Sequence, residues 1–241
     1  MSFQKRASER QIQPIRCATC GRLLIGRYYM FRGRSEGFCA DCMDFRSRCS
    51  SCGAPLEDNH WKLHDGRQQC NRCHSTAVYD VAEAQQLYAE TVKGVAQQLG
   101  LRLQKPVEFR LLDAPTLSQL HRSGNTSTQL DEHPLGLYYY HGSVRAIYML
   151  YGLPKLMFRI TVAHEYAHAW QAEYCPTLSD NIFREGFAEW VAYHHLLWLG
   201  CSLAAERMLE EEHPYRPALE RVLELERRTG IPGVIASIQR A

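Results

Sequence analysis

The stretch that decides how the second half of the chain folds reads AHEYAHAW and lies at residues 163–170. Apolar residues on both sides of it predict a helix. On a helix, His164 and His168 share one face because they are four residues apart. Both imidazoles can then bind one zinc ion, while Glu165 lies beside them and can accept a proton from metal-bound water. The alternative is a pair of core histidines on a buried helix.

A second segment with a carboxylate begins sixteen residues after His168, where residues 184–190 read REGFAEW. This segment predicts another helix, which can return antiparallel to the first. Two histidines and Glu185 leave the fourth zinc position to water, as in hydrolytic zinc sites. Gly186 would let the two helices approach closely. We expect Glu189, one turn further, to accept the remaining ring N–H of His164. Alternatively, Glu185 caps its helix or pairs with the adjacent arginine.

Hydrophobic periodicity predicts the elements around these two segments. They are a helix over 79–99, a strand over 107–112, a loop-rich stretch over 114–134, a hairpin of strands 137–140 and 144–151, and helices at about 154–174, 181–199, 202–212 and 214–229. Within the loop-rich stretch, residues 123–127 read SGNTS and are expected to be mobile. The run 144–150 is either an edge strand that pairs with an extended peptide or an ordinary core strand.

Eight of the ten cysteines form four Cys-x-x-Cys pairs in the N-terminal third of the chain. Two residues between cysteines let both sulfurs reach one tetrahedral ion, and a second pair 17 or 18 residues later closes the shell. The predicted ligands are Cys17, Cys20, Cys39 and Cys42 for one structural zinc, and Cys49, Cys52, Cys70 and Cys73 for a second. A redox dithiol is the alternative for any one pair. Cys175 and Cys201 are expected to be small core residues.

Composition limits the class of protein. The chain has 241 residues, of which 45% are hydrophobic, so it can bury a core. Its start lacks an apolar segment typical of a secretory signal, and no run is long enough to span a membrane. We therefore expect a soluble cytoplasmic protein with a flexible segment 1–16, a zinc module 17–78 and a larger domain 79–241. The N-terminal excess of Lys and Arg suggests nucleic acid, but eight zinc-bound thiolates would offset it, so no nucleic-acid partner is expected.

The cysteine module resembles a LIM domain, in which two zinc knuckle units stack in tandem. It departs from that pattern at Cys39, where a LIM domain usually has histidine, and in the six residues that join its halves instead of about two. LIM-like modules usually bind proteins, so the resemblance implies a surface for docking a protein partner.

The second half resembles the gluzincin metallopeptidases, whose signature is His-Glu-x-x-His followed by Glu-Gly-Phe-Ala. More narrowly, residues 150–156, which read LYGLPKL, running into 163–170 behind a LIM-like module look like the LIM-peptidases. The best-known members are ubiquitin-activated, growth-limiting peptidases of plants. No ubiquitin-interacting helices are visible ahead of Cys17, so we expect a short ancestral or bacterial-type member without that activation.

The resemblance implies an α+β chain in which the LIM-like double zinc-knuckle module precedes a zincin-like, mostly helical domain with a small antiparallel sheet. It assigns His164, His168 and Glu185 to a catalytic zinc and Glu165 to the general base. The implied reaction is zinc-dependent hydrolysis of peptide bonds in protein substrates. Together with the cysteine module, this predicts three zinc ions per chain.

Two questions stay open at this stage. A catalytically silent zinc scaffold for protein–protein interaction is the alternative function, although it would have no need of a base at Glu165. The donor that would stabilise the oxyanion is not determined either. Its candidates are His194, His195, His213 and Tyr215, of which the first two lie on a strongly apolar helix and are more often core histidines.

Overall fold

The computed structural model describes residues 15–31, 35–123, 134–210 and 214–241. His213, nearly all of the predicted flexible N-terminus and the stretch from Gly124 to Ser127 lie outside these ranges. The chain divides into two compact units, of which the first runs to Leu63 and adds Arg67–Cys70. The second comprises His64–Gly66 and Asn71–Ala241. The functional domain boundary between residues 78 and 79 stays a prediction.

The first unit consists of short elements between cysteine pairs. They are β1 (Tyr29–Met30), β2 (Gly37–Phe38), α1 (Ala40–Phe45), β3 (Trp61–Lys62) and β4 (Gln68–Gln69), with β1 pairing antiparallel to β2 and β3 to β4. Two of the cysteine pairs end on a glycine with positive φ, Gly21 at 72° and Gly53 at 68°. Each glycine N–H donates to the carbonyl oxygen of the first cysteine of its pair at 2.9 Å. Glycine closes these tight turns because it enters the left-handed region without steric cost.

The second unit is mostly helical, with one three-stranded sheet. Its elements are α2 (Asn71–His74), α3 (Val81–Leu99), β5 (Glu108–Leu112), α4 (Ala114–Ser123), β6 (Gly136–His141), β7 (Val144–Leu150), α5 (Lys155–Tyr174), α6 (Asn181–Trp198), α7 (Ser202–Glu210) and α8 (Arg216–Arg240). The chain is thus a mixture of helices and small sheets, as expected for the α+β class. None of the helices in the described ranges is long and apolar enough to cross a membrane.

Helix ends follow the capping signals of the sequence. The side chain of Asp80 accepts a hydrogen bond from the backbone N–H of Glu83 at the start of α3, and that of Asp180 accepts one from Phe183 at the start of α6. Gly100 ends α3 with φ 70°. The predicted helices over 79–99, 154–174 and 181–199 are confirmed to within two residues. α8 leaves helical geometry at Gly230 and resumes afterwards, so it comprises two segments.

The structure corrects the prediction of a loop-rich stretch after residue 113, because residues 114–123 form α4. Asp113 accepts a hydrogen bond from the backbone N–H of Thr116 at 2.9 Å and thereby caps the helix. Leu117 on its inner face is fully buried. The stretch is polar and has one fully buried position, so its helical periodicity is weak. The sequence signals that indicate this helix are the capping residue Asp113 and Pro115 in the first turn.

The sheet has the order β5-β7-β6. β6 and β7 form the predicted antiparallel hairpin, closed at Gly142 with φ 60°. β5 pairs with β7 in parallel, so this sheet is mixed and not purely antiparallel as expected. The hypothesis that 144–150 is an edge strand is wrong, because β7 pairs on both sides. Among the described strands of this sheet, β5 and β6 are the two edges, and each pairs with β7 alone.

The two helices of the motif pack through aromatic residues. Trp170 on α5 stacks on Phe187 of α6 with ring centroids 5.6 Å apart. Gln171 of α5 also donates a hydrogen bond from Nε2 to the carbonyl oxygen of Arg184, at 2.9 Å. These contacts set the register of α5 on α6.

Gly186 faces a different neighbour from the one predicted. A Cβ placed at Gly186 would lie 2.4 Å from the backbone oxygen of Ala218, which belongs to α8. Because Gly186 has no side chain, α8 can approach α6. Gly186 does not set the distance between α6 and α5, the helix that carries His164 and His168.

Candidate active site and metal sites

Three potential metal ligands from α5 and α6 converge on one point. The Nε2 atoms of His164 and His168 are 3.0 Å apart, and Oε2 of Glu185 lies 3.5 and 3.4 Å from them. Ligand atoms held at zinc–ligand distances around a tetrahedral ion are separated by roughly 3.3–3.6 Å. Both distances to Glu185 fall in this range and the distance between the two nitrogens is slightly below it, so the three atoms approximate one face of a tetrahedral coordination shell.

The electrostatics of this group favour a bound cation. Glu185 is 5% exposed, and neither carboxylate oxygen has a hydrogen-bond partner among the described residues. A buried carboxylate in that state is costly unless a cation meets it. Burial alone would lower the pKa of His164, but its interactions with the carboxylates of Glu185 and Glu189 outweigh this effect and raise the pKa well above its ordinary value. A metal ion would supply the positive charge that these carboxylates attract.

Each histidine has a partner at its other ring nitrogen. Nδ1 of His164 lies 3.1 Å from Oε1 of Glu189, and Nδ1 of His168 lies 2.9 Å from Oε1 of Gln171. Such partners fix the tautomer and leave Nε2 free to bind a metal. Sequence reasoning proposed the contact with Glu189 and missed Gln171, whose signal is its position three residues after His168 on the same helix.

Glu165 lies beside the ligands on the wall of a cleft of about 820 Å³. Its side chain is largely buried, and Oε2 accepts a hydrogen bond from the backbone N–H of Tyr138 on β6 at 2.7 Å. His168 and Gln171 line the same cleft. The edge strand therefore positions the carboxylate next to the candidate metal site. This contact joins distant segments, so no local sequence pattern indicates it.

The oxyanion candidates differ in their distance from the site. Nε2 of His194 lies 3.0 Å from Oε2 of Glu226 on α8, and His194 does not line the cleft. His195 is fully buried against Trp198, and burial lowers its pKa to about 4, which keeps the ring neutral. The ring of Tyr215 is 6.3 Å from that of His164. Of the candidates in the described ranges, Tyr215 is the one adjacent to the metal ligands.

The eight clustered cysteines form two further groups of potential ligands. In each group the sulfur atoms lie within 4.8 Å of one another, and the groups are Cys17, Cys20, Cys39, Cys42 and Cys49, Cys52, Cys70, Cys73. None of the ten cysteines, all of which lie in the described ranges, forms a disulfide bond. The pairing is the one that the spacing predicts, first pair with second and third with fourth.

The two cysteine groups share a hydrogen-bond pattern. The backbone N–H of Cys39 donates to Sγ of Cys17, and that of Cys70 donates to Sγ of Cys49, both at 3.4 Å. Burial raises the pKa of Cys17, but backbone hydrogen bonds from Cys39, Cys20 and Thr19 outweigh this effect and lower the pKa to about 6. Burial and the adjacent thiols raise the pKa of Cys42. Four thiolates this close need a cation, and a tetrahedral zinc ion fits the donor set.

The described residues thus contain three groups of potential metal ligands, two of four cysteines each and one of two histidines and Glu185. Residues 99–217, just under half of the chain, match the model of the DA1-like family, described as Protein DA1. This match includes all three ligands of the His₂Glu group and Glu165. The resemblance predicted from the sequence is therefore supported in its coarser form, as similarity to the DA1-like family and to LIM-domain proteins.

The relatives are plant and animal proteins. Protein DA1 of Arabidopsis thaliana is 26% identical over 196 residues, which cover 67% of this chain and 36% of that protein. LIM domain-containing protein HDR3 of rice is 24% identical over 161 residues, covering 53% and 32%. Four and a half LIM domains protein 5 of mouse is 32% identical over 73 residues, covering 26% and 25%. The chain thus spans about a third of the length of the DA1-type relatives it matches. No solved structure matches it significantly.

Proposed function

We propose that the chain is a zinc-dependent metallopeptidase of the gluzincin type, related to the DA1-like proteins. The observation that carries the proposal is the convergence of His164, His168 and Glu185 beside Glu165 at a cleft bordered by an edge strand. Three zinc ions per chain follow from the three donor groups, two of them structural. Ten cysteines without a disulfide bond among them favour a reducing compartment, so we place the reaction in the cytoplasm.

His164, His168 and Glu185 would hold the catalytic zinc, and Glu189 and Gln171 would orient the two imidazoles. When bound, the ion would polarise the scissile carbonyl and acidify a water molecule. Glu165 is the general base that takes the proton of the attacking water and passes it to the leaving amine. The hydrogen bond from Tyr138 holds one oxygen of Glu165 in place. Tyr215 is the proposed oxyanion donor, because its ring lies next to His164.

β6 is the proposed docking edge for an extended substrate. It pairs with β7 on one side, and its residues 137–141 line the cleft. Main-chain hydrogen bonds along such an edge align a peptide without reading its side chains. A substrate strand added there would pass Glu165, which already contacts the backbone of β6.

The cysteine groups are proposed to fold a LIM-like module that docks a protein partner or substrate. Closed four-thiolate shells leave no position for a substrate, so their contribution is structural. The LIM-domain names of the rice and mouse relatives support this assignment.

The proposal is tested with Glu165→Gln, which keeps the metal ligands and removes the base. We expect wild type to release new peptide termini from a proteome digest, and the variant to be slower by about 10²- to 10⁴-fold. Zinc content should be equal in the two proteins. Glu108→Gln is the matched control, since it neutralises an exposed carboxylate on β5 outside the cleft, and it should retain full activity.

Equal behaviour of wild type and Glu165→Gln on every substrate would refute the peptidase and favour the catalytically silent scaffold. A variant that loses zinc as well as activity would show that Glu165 supports the metal site and would contradict its assignment as the base alone.

A further inference from the structure

Arg184 is a charged cleft residue that the proposed reaction does not use. It directly precedes Glu185 on α6, and its side chain lines the cleft together with Glu165 and His168. The side chain is 19% exposed. Its Nε and Nη2 atoms are buried and have no hydrogen-bond partner among the described residues. The guanidinium is under-satisfied at these two atoms, because their N–H groups have lost water without gaining an acceptor.

The adjacent metal ligand does not satisfy Arg184. Nε lies 3.7 Å from Oε1 of Glu185, which is an ion-pair distance but not a hydrogen bond. Once a metal ion shares the charge of Glu185, Arg184 is left with still less compensation.

Arg145, the other arginine of the cleft wall, shows the contrast. Its guanidinium donates to Glu173 at 2.9 Å, to the hydroxyl of Tyr138 at 3.3 Å and to the carbonyl oxygen of Ala169 at 3.3 Å. Arg145 and Glu173 thus neutralise each other. Lys105 adds an exposed positive charge to the same wall. Apart from Glu165, which serves as the base, the cleft therefore has a positive balance centred on Arg184.

We propose that Arg184 selects substrates by binding a carboxylate of the peptide close to the cleaved bond. This inference rests on the proposed peptidase function and deepens it by naming the substrate class. Arginine suits the role because its planar N–H groups match the two oxygens of a carboxylate. The carboxylate belongs either to an Asp or Glu side chain or to the C-terminus of the peptide, and the experiment separates these two sources.

The probe is chosen by binding, so that its choice does not depend on turnover. It is the peptide that the zinc-loaded Glu165→Gln protein retains most strongly from a synthetic random peptide library. The peptide is then made in matched forms, with each Asp or Glu changed to its amide, or with the C-terminus amidated. Affinity is measured for each form with Glu165→Gln, and kcat/KM is measured with the otherwise unchanged protein.

We expect one carboxylate form to exceed its amide by about 10- to 100-fold in affinity and in kcat/KM. Adding Arg184→Gln should bring that ratio close to one while leaving cleavage of the amide form within about threefold. Lys105→Gln is the matched control, because it removes an exposed cation from the same cleft, and it should keep most of the preference.

Equal binding of acid and amide forms, or a preference that survives Arg184→Gln, would overturn the inference. Loss of zinc from Arg184→Gln, with both forms slowed equally, would also overturn it and leave Arg184 as a support of Glu185. Failure of the wild-type chain to cleave the retained peptide would instead refute the peptidase, and the binding ratios would still decide whether Arg184 recognises a carboxylate.

Discussion

At the scale of single residues, Glu185 and Glu189 lie one helical turn apart and contact opposite nitrogens of His164. Oε2 of Glu185 is 3.5 Å from Nε2, whereas Oε1 of Glu189 is 3.1 Å from Nδ1. Only Glu185 also reaches His168. This geometry fits the two proposed roles, with Glu185 as a metal ligand and Glu189 as the partner that orients a ligand.

The first prediction concerns these two carboxylates. Glu185→Ala should lose the catalytic zinc, because it removes one of three protein ligands. Glu189→Ala should retain the ion with about 10- to 100-fold weaker affinity or activity, since His164 loses its fixed orientation. Metal analysis and competition with a chelator measure both effects. Glu189→Gln keeps an acceptor oxygen and serves as the control. If Glu189→Ala loses the ion and Glu185→Ala retains it, the assignments are reversed.

The residues of the site differ in how far sequence could predict them. His164, His168 and Glu189 follow from helical spacing, because i and i+4 positions share a face. Helical spacing could also have predicted the contact of Gln171 with His168. It could not have predicted the contacts of Tyr138 and Arg184, since these depend on where β6 and α6 are placed against α5. Distances between segments far apart in sequence are set by tertiary packing and leave no local pattern.

At the scale of elements, the site depends on the packing of α5, α6 and α8. Sequence periodicity predicted α5, α6 and the segment of α8 before Gly230, but not the segment of α8 that follows Gly230. It did not predict that β5 pairs in parallel with β7, because strand order has no local signal. It also assigned the wrong neighbour to Gly186, whose missing side chain accommodates α8. The hydrophobic pattern predicts which face of a helix is buried, but it does not predict which element packs against that face.

The second prediction tests this close approach with Gly186→Ala. The new methyl group would lie 2.4 Å from the backbone oxygen of Ala218, and a backbone atom cannot move aside cheaply. We expect a loss of about 1–3 kcal/mol in the free energy of unfolding, or a fall of roughly 2–12 °C in Tm.

Gly94→Ala is the matched control for this prediction. Its Cβ would meet the side chains of Trp198 at 3.0 Å and His195 at 3.1 Å, and these can adjust. Its gain in helix propensity, about 1 kcal/mol, offsets part of the strain. Thermal unfolding monitored by circular dichroism compares both variants with wild type. A Gly186→Ala protein as stable as Gly94→Ala would contradict the packing of α8 described above.

At the scale of the whole molecule, the three donor groups differ in how metal binding relates to folding. The His₂Glu group lies on helices whose core is already packed, with Phe158, Phe187 and Trp190 fully buried. The cysteine groups instead join strands of two residues each, which bury little apolar surface. We therefore expect that the segment around the cysteines needs metal in order to fold. At the His₂Glu group, we expect metal to be needed for catalysis but not for folding.

The last prediction follows from this difference and concerns metal removal. The purified chain should contain three zinc ions, and a mild chelator should remove one of them together with activity while the structure is retained. Harsher treatment should remove the other two and unfold residues 17–73, because closed thiolate shells are coupled to folding. Metal analysis with amide hydrogen exchange follows both stages.

The control variant is Cys20→Ser, which alters one thiolate shell. It should weaken the binding of one structural ion and leave the His₂Glu ion bound. A total of one ion per chain would refute the double-knuckle assignment, and unchanged hydrogen exchange across residues 17–73 after full metal loss would show that this segment folds without zinc.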